Sequence, residues 1–176
     1  MLSKLKIVPN LWFDGQAEEA ARFYTGIFRN SGIDDITYYG NEGQEIHHMP
    51  EGAVLTVEFT LDGQPFLALN GGPEFRFNEA VSFVVSCDNQ EEVDYYWDKL
   101  GAGGDPQARQ CGWLKDKYGL SWQVVPKILP QMLKDRDKTR AERVMAAMLK
   151  MKKIEIGQLQ QAYNSVEQDA YDTVSV

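Results

Sequence analysis

The chain has 176 residues, 43% of them hydrophobic and 11% aromatic, so it can bury a sizeable core of its own. Its formal net charge of −8 argues against general binding to nucleic acid or to an anionic membrane. No apolar run is long enough to span a bilayer, and the start, MLSKLKIVPN, lacks the apolar stretch of a signal peptide, so no membrane contact and a cytoplasmic location are expected.

Leu5 to Phe13 reads as a first strand, with Leu11 and Phe13 on one face and Asn10 and Trp12 on the other. Asp14-Gly15 turns the chain. Ala17 to Phe28 is helical, because Ala20, Phe23, Tyr24 and Ile27 recur at helical spacing. Glu18 and Glu19 stand in its first turn, where the helix dipole favours acids. Ile33 to Tyr39 is a strand, followed by a polar loop from Gly40 to Gly52 that holds His47 and His48. Ala53 to Leu61 and Gln64 to Leu69 are strands joined by Asp62-Gly63, a hairpin signal.

The order β-α-β-β-β then recurs. Ala80 to Cys87 is a strand, Asp88 or Asn89 caps a helix over Gln90 to Leu100, and three short strands follow near Gln107, over Cys111 to Lys115, and over Leu120 to Val125. Leu120, Trp122 and Val124 share one face of the last strand; Ser121 and Gln123 lie on the other. EEAARFY in the first helix is echoed by EEVDYYW in the second. Trp97 and Trp122 read as core.

Charge marks the end of this module. Residues 1–126 carry a net −10, and residues 127–153 a net +6. The division is therefore a paired-repeat domain over 1–126 (repeat one 5–72, repeat two 79–126), a helical extension over 127–163, and a polar tail over 164–176. In the extension, Ile128, Met132 and Leu133 suit one short helix. Thr139-Arg140-Ala141-Glu142 has the form of a capping box opening a second, with Ala141, Val144, Met145, Met148 and Leu149 on one face; Leu159 and Tyr163 mark a third. The basic segment reads as a helix packed on the acidic domain or across a dimer partner.

Cys87 and Cys111 have no metal-ligand spacing and read as buried free thiols, with a disulfide as the alternative. His47-His48 is either an acid/base or ligand pair at a cleft edge or a solvated loop. Arg76, between Phe75 and Phe77, is either a guard against anionic ligands or a surface arginine with its flanking rings in the core.

The phrases NLWFDGQAEEAARFYTGIF, LALNGGPEFRFNEAVSFVVSCDNQEEVDYYWDKL and CGWLKDKYGLSWQVVPKILPQML, set on two tandem units, resemble the PhnB-like family. That family carries the label 3-demethylubiquinone-9 3-methyltransferase and falls within the superfamily of glyoxalases, bleomycin-resistance proteins and extradiol dioxygenases. The resemblance implies an α+β fold in which two βαβββ units form a half-open barrel around a cleft, and it implies a homodimer. Metal-dependent members of the superfamily hold a divalent ion with His and Glu from four strands. The matching positions here are Val8 or Asn10, Asn70 or Ala68, Ser82, and Gln123. None is an acid or an imidazole, so no catalytic metal and no other cofactor are expected. The label is also unsupported by a glycine-rich strand-to-helix loop for S-adenosylmethionine, since Pro73 and a strand follow Asn70-Gly71-Gly72.

The expected activity is binding of a small organic molecule in the cleft. Asn10, Trp12, Asn70, Ser82, Trp113, Ser121 and Gln123 are the candidate residues, with indoles to stack on and amides to orient the ligand. The alternatives are an enzyme of the superfamily, the labelled methyltransferase included, and a structural or regulatory dimer whose cleft is closed by its own side chains.

Overall fold

The computed structural model describes residues 5–165. The predicted tail therefore lies outside the described residues beyond Ser165, and Asn164 ends a helix. The chain forms two compact units. One holds the described residues up to Val81 with Tyr118–Leu120; the other holds Ser82–Lys117 and the described residues from Ser121 on.

The first unit is a four-stranded sheet with one long helix. Strands β1 (Asn10–Phe13), β2 (Gly32–Tyr38), β3 (Val54–Leu61) and β4 (Gln64–Asn70) lie in the order β1-β4-β3-β2. Helix α1 (Ala17–Thr25) crosses from β1 towards β2 and packs on the sheet. It buries Ala17, Ala20, Ala21 and Tyr24, the small residues letting the backbone approach the strands. Below it lie Leu11, Phe13, Val57, Phe59, Phe66 and Ala68, alternate positions that put one face of each strand in the core. Asp62 and Gly63 both take positive φ (45° and 80°), as a two-residue hairpin turn requires. The polar loop holds one short helical turn, α2 (Gln44–His47), which periodicity did not reveal.

The second unit repeats the plan. Strands β5 (Ser82–Cys87), β6 (Trp113–Lys115) and β7 (Ser121–Pro126) lie in the order β5-β7-β6, with β5 parallel to β7 as β1 is to β4. Helix α3 (Gln90–Gly101) packs on all three strands through Val93, Trp97 and Leu100. Its N-terminus is capped by Asn89, whose Oδ1 accepts from Glu92 N–H at 2.9 Å. Trp97 and Trp122 are buried, as predicted.

The strand expected near Gln107 is instead a single 3₁₀ turn over Pro106–Ala108. Pro106 has no N–H to give to a ladder, and Asp105 draws the chain inward by accepting from Gln107 N–H at 2.8 Å. What remains of pairing there is one bridge between Gln110 and Trp113, closed by Cys111 and Gly112 at φ 51° and 84°. Cys111 is thus a half-buried turn residue rather than a strand residue. Cys87 is fully buried; burial, with Glu92 and Asp88 adding to it, pushes its thiol up to about 12. Both thiols are free.

The extension forms α4 (Ile128–Leu133), α5 (Lys138–Met148) and α6 (Ile156–Asn164) around a core of Leu129, Met132, Val144, Met151, Ile154 and Leu159. The capping box is not used. Asp137 is the N-cap of α5 and accepts from Thr139 and Arg140 N–H. Of the predicted apolar face, Val144 is buried while Met145 and Leu149 are exposed, so the stripe is narrower than the sequence suggested.

The extension is fastened to α3 mainly by one side chain. Gln90 donates from Nε2 to Ile154 O at 3.1 Å and accepts at Oε1 from Ile156 N–H at 2.8 Å, which imitates a strand partner. Beside it Lys153 pairs with Asp94 at 2.5 Å. The hydrogen bond from Lys153, and then the one from Gln90, hold the Asp94 carboxyl below the usual aspartate range. That contribution is complete above the ordinary aspartate pKa and is lost as pH falls through the lowered one. Replacing Gln90 with Ala should destabilise the extension by about 1–3 kcal/mol. Hydrogen exchange should show Ile156 and α6 losing protection before α3 does. Equal loss across both would contradict the fastening.

Candidate functional site

The seven candidate residues separate into three groups. Asn70 belongs to the fold. At the end of β4 its side chain is 2% exposed and lies on the helix side of the sheet with Phe66 and Ala68. Its Oδ1 accepts from Ala17 N–H at 2.9 Å, and its Nδ2 donates to Val54 O at 3.0 Å. Gln16, the residue before α1, makes no side-chain cap, so Asn70 caps the helix from 53 residues away. The backbone oxygen of Asn70 accepts from the Tyr39 hydroxyl.

Asn10 and Trp12 lie on the opposite face of the same sheet. Asn10 is exposed at the start of β1. Trp12 is half-buried, and its Nε1 donates to Gly72 O at 2.8 Å. Its indole lies against Gly71, where a Cβ would come within 2.2 Å of the ring, and Phe75 meets its edge at 4.8 Å. The glycine loop after β4 is thus filled by the protein's own indole. The inner-face neighbours of Trp12 on β4 are Leu67 and Leu69, half-buried and incapable of ligating an ion.

Ser82, Trp113, Ser121 and Gln123 come together on the face of the three-stranded sheet opposite α3. The register places Trp113, Gln123 and Val84 side by side across the sheet, with Lys115, Ser121 and Ser82 as the next row. Gln123 Nε2 donates to Ser82 Oγ at 2.9 Å. Ser82 keeps its hydroxyl hydrogen and Gln123 keeps its Oε1 lone pairs, so the pair presents one donor and one acceptor. Val84 is 57% exposed beside them. Ser121 is 1% exposed, and its Oγ is buried without a hydrogen-bond partner, a costly state for a hydroxyl.

Sequence reasoning passed over Glu58, which shares its face of β3 with Thr56 and Thr60. The alternation in VLTVEFTL was the available signal. His47 is held by the backbone: Met49 N–H donates to Nδ1 at 3.0 Å, so Nε2 carries the hydrogen that reaches Glu42 O at 3.2 Å. Tyr39 lies on its ring at 4.4 Å between centroids. His48 is exposed at φ 56°, and Arg76 is exposed. Among the described residues, no three His, Cys, Asp or Glu side chains gather to hold a metal. None of their helices is long and apolar enough to cross a membrane.

Two units, each with its first strand parallel to its last and its other strand pairs antiparallel, each sheet covered by one helix, have the glyoxalase/bleomycin resistance/dioxygenase fold. The sequence model of the family described as 3-demethylubiquinone-9 3-methyltransferase matches residues 5–125. The chain belongs to that family. A solved structure described as a putative 3-demethylubiquinone-9 3-methyltransferase, PhnB protein, from Bacillus cereus is 38% identical, with a TM-score of 0.59 over 69% of this chain and 99% of that one. The protein PA1353 from Pseudomonas aeruginosa is 19% identical at a TM-score of 0.53, over 70% of this chain and 98% of that one, and shares the fold. No curated protein matches the chain. The family match ends before α4, so the helical extension lies beyond it.

Replacing Asn70 with Leu would leave Ala17 N–H and Val54 C=O without their partner, and should cost about 2 kcal/mol in urea unfolding. A change under about 0.5 kcal/mol would contradict the cap. Gly71→Ala should cost about 1–3 kcal/mol through overpacking against Trp12. In a Trp12→Ala background most of that cost should vanish, and equal costs in both backgrounds would contradict the packing.

Proposed function

We propose that the protein binds a small planar organic molecule carrying an amide-like donor and acceptor, without a metal ion, on the open face of the three-stranded sheet. The observation that carries this reading is the Ser82–Gln123 hydrogen bond, which leaves a hydroxyl donor beside an amide acceptor. A carboxamide or lactam presents the complementary pair. Trp113 supplies a ring to stack on and Val84 an apolar wall. Neutral oxygens of this kind repay little of the dehydration of a divalent ion. The neutral oxygens of Asn10, Ser82 and Gln123 therefore do not fit the metal of the metal-dependent superfamily members.

The family's methyltransferase description is a weaker reading for this chain. A glycine loop that binds S-adenosylmethionine must admit the ligand close to its backbone, and Trp12 already covers Gly71. A homodimer belongs to our reading as well, supported by Met145 and Leu149, which α5 leaves 40% and 55% exposed.

Thermal-shift and calorimetric titration with benzamide and nicotinamide test the proposal. Binding should survive EDTA, fall at least tenfold in Gln123→Leu, and be unaffected in Glu18→Gln. A stoichiometric divalent ion in the purified protein, with binding lost to EDTA, would overturn the metal-free reading. No saturable binding of either probe would favour a vestigial face.

A further inference from the structure

The joint at the end of β4 is the dipeptide Asn70-Gly71, and two separate packing demands put those residues there. Position 70 needs a side chain with one acceptor and one donor, to take Ala17 N–H at 2.9 Å and to reach Val54 O at 3.0 Å. Position 71 has no room for a Cβ, which would come within 2.2 Å of the Trp12 indole. Asparagine followed by glycine is also the most labile setting for an asparagine side chain, because no Cβ on the next residue hinders its N–H from approaching the amide.

The reaction in question is deamidation. Gly71 N attacks Asn70 Cγ and forms a C–N bond, closing a five-membered succinimide. The Cγ–Nδ2 bond breaks, and Nδ2 leaves as ammonia with the proton from Gly71 N. Water then opens the ring at one of its two carbonyls. One opening gives aspartate; the other gives isoaspartate, whose main chain runs through the side chain and is one methylene longer.

The folded chain holds every atom of that step apart. Gly71 N–H donates to Phe13 O at 3.0 Å, while Asn70 Oδ1 and Nδ2 are both bonded and the side chain is 2% exposed. Trp12 covers Gly71 and donates from Nε1 to Gly72 O at 2.8 Å, and the Tyr39 hydroxyl holds Asn70 O. For Gly71 N to meet Cγ, the bonds to Ala17, Val54 and Phe13 must all break first. The rate therefore follows the fraction of chains in which this joint is open.

The products do not fit the closed joint. Aspartate keeps an acceptor for Ala17 N–H, but its second oxygen faces Val54 O, acceptor against acceptor in a buried place. Isoaspartate lengthens the main chain where Gly71 must meet both Phe13 and Trp12.

We infer that Asn70-Gly71 is a deamidation site gated by the fold: shut while the end of β4 is closed, reactive when it opens, and destabilising to the closed form once converted.

Peptide mapping of the whole chain by mass spectrometry, after incubation in mildly alkaline buffer with and without denaturing urea, tests this. Asn164-Ser165, exposed at the end of α6, is the internal reference. In urea Asn70 should convert faster than Asn164. Folding should slow Asn70 at least tenfold, and slow it more than Asn164. Tyr39→Phe and Trp12→Ala leave the dipeptide intact; each should raise the folded-state rate at Asn70 at least threefold without changing the rate in urea. Tyr39→Phe, which removes one hydroxyl, keeps the test sound if Trp12→Ala fails to fold. The separated converted chain should unfold at a lower urea concentration than the unconverted one. The inference is overturned if Asn70 converts equally fast with and without urea, if folding protects Asn164 as much, if the folded variants leave the rate unchanged, or if the converted chain unfolds at the same urea concentration.

Discussion

The side-chain amide of Asn70 is the interaction on which the first unit depends. It stands where three segments meet: the end of β4, the start of α1, and the start of β3. Its acceptor takes the first N–H of α1, its donor takes the carbonyl that opens β3, and its own backbone oxygen receives the Tyr39 hydroxyl. Each of those groups is required by elementary accounting to find a partner, and one buried residue satisfies them together. The crossing of α1 over its sheet is fixed there.

The two repeats meet the same demand differently. In the parallel pair of repeat one, Asn70 is the last residue in register, opposite Phe13. In repeat two that place belongs to Pro126, opposite Cys87. Proline has no side chain with which to cap, so α3 takes its cap locally from Asn89. Pro126 instead launches the extension, and Lys127 N–H donates back to Cys87 O at 2.9 Å. Gln90 is free to fasten the extension, and Gln123 is free to meet Ser82 on the open face.

Much of this was legible in the residues. Alternation in LSWQVV put Trp122 in the core and Gln123 opposite it, and the repeat of element order gave both sheets. Asn70 was harder to read because both faces of β4 are apolar. Leu67 and Leu69 compete with Phe66 and Ala68 for the core side, so periodicity alone does not set the face; the polar positions Thr56, Glu58 and Thr60 on β3 do so once the hairpin register is known. The strand expected near Gln107 was lost to Pro106 and Asp105, local chemistry that outweighs a strand-like texture. The capping box at Thr139 was pre-empted by Asp137 two residues earlier, which starts the helix sooner by accepting from Thr139 and Arg140 N–H. Long-range caps and glycines covered by a distant indole, as Gly71 is by Trp12, leave no local signal at all.

Asn70 caps α1 from the helix side of its sheet, whereas Gln123, in our proposal, belongs to a metal-free site. Side-chain amide NMR of Asn70 and Gln123 during titration with Mn²⁺ tests this claim most directly. We expect both NH₂ signals to stay sharp at stoichiometric Mn²⁺, with Asn70 exchanging slowly with solvent and Gln123 quickly. Selective broadening of either signal at one equivalent of Mn²⁺ would contradict the claim.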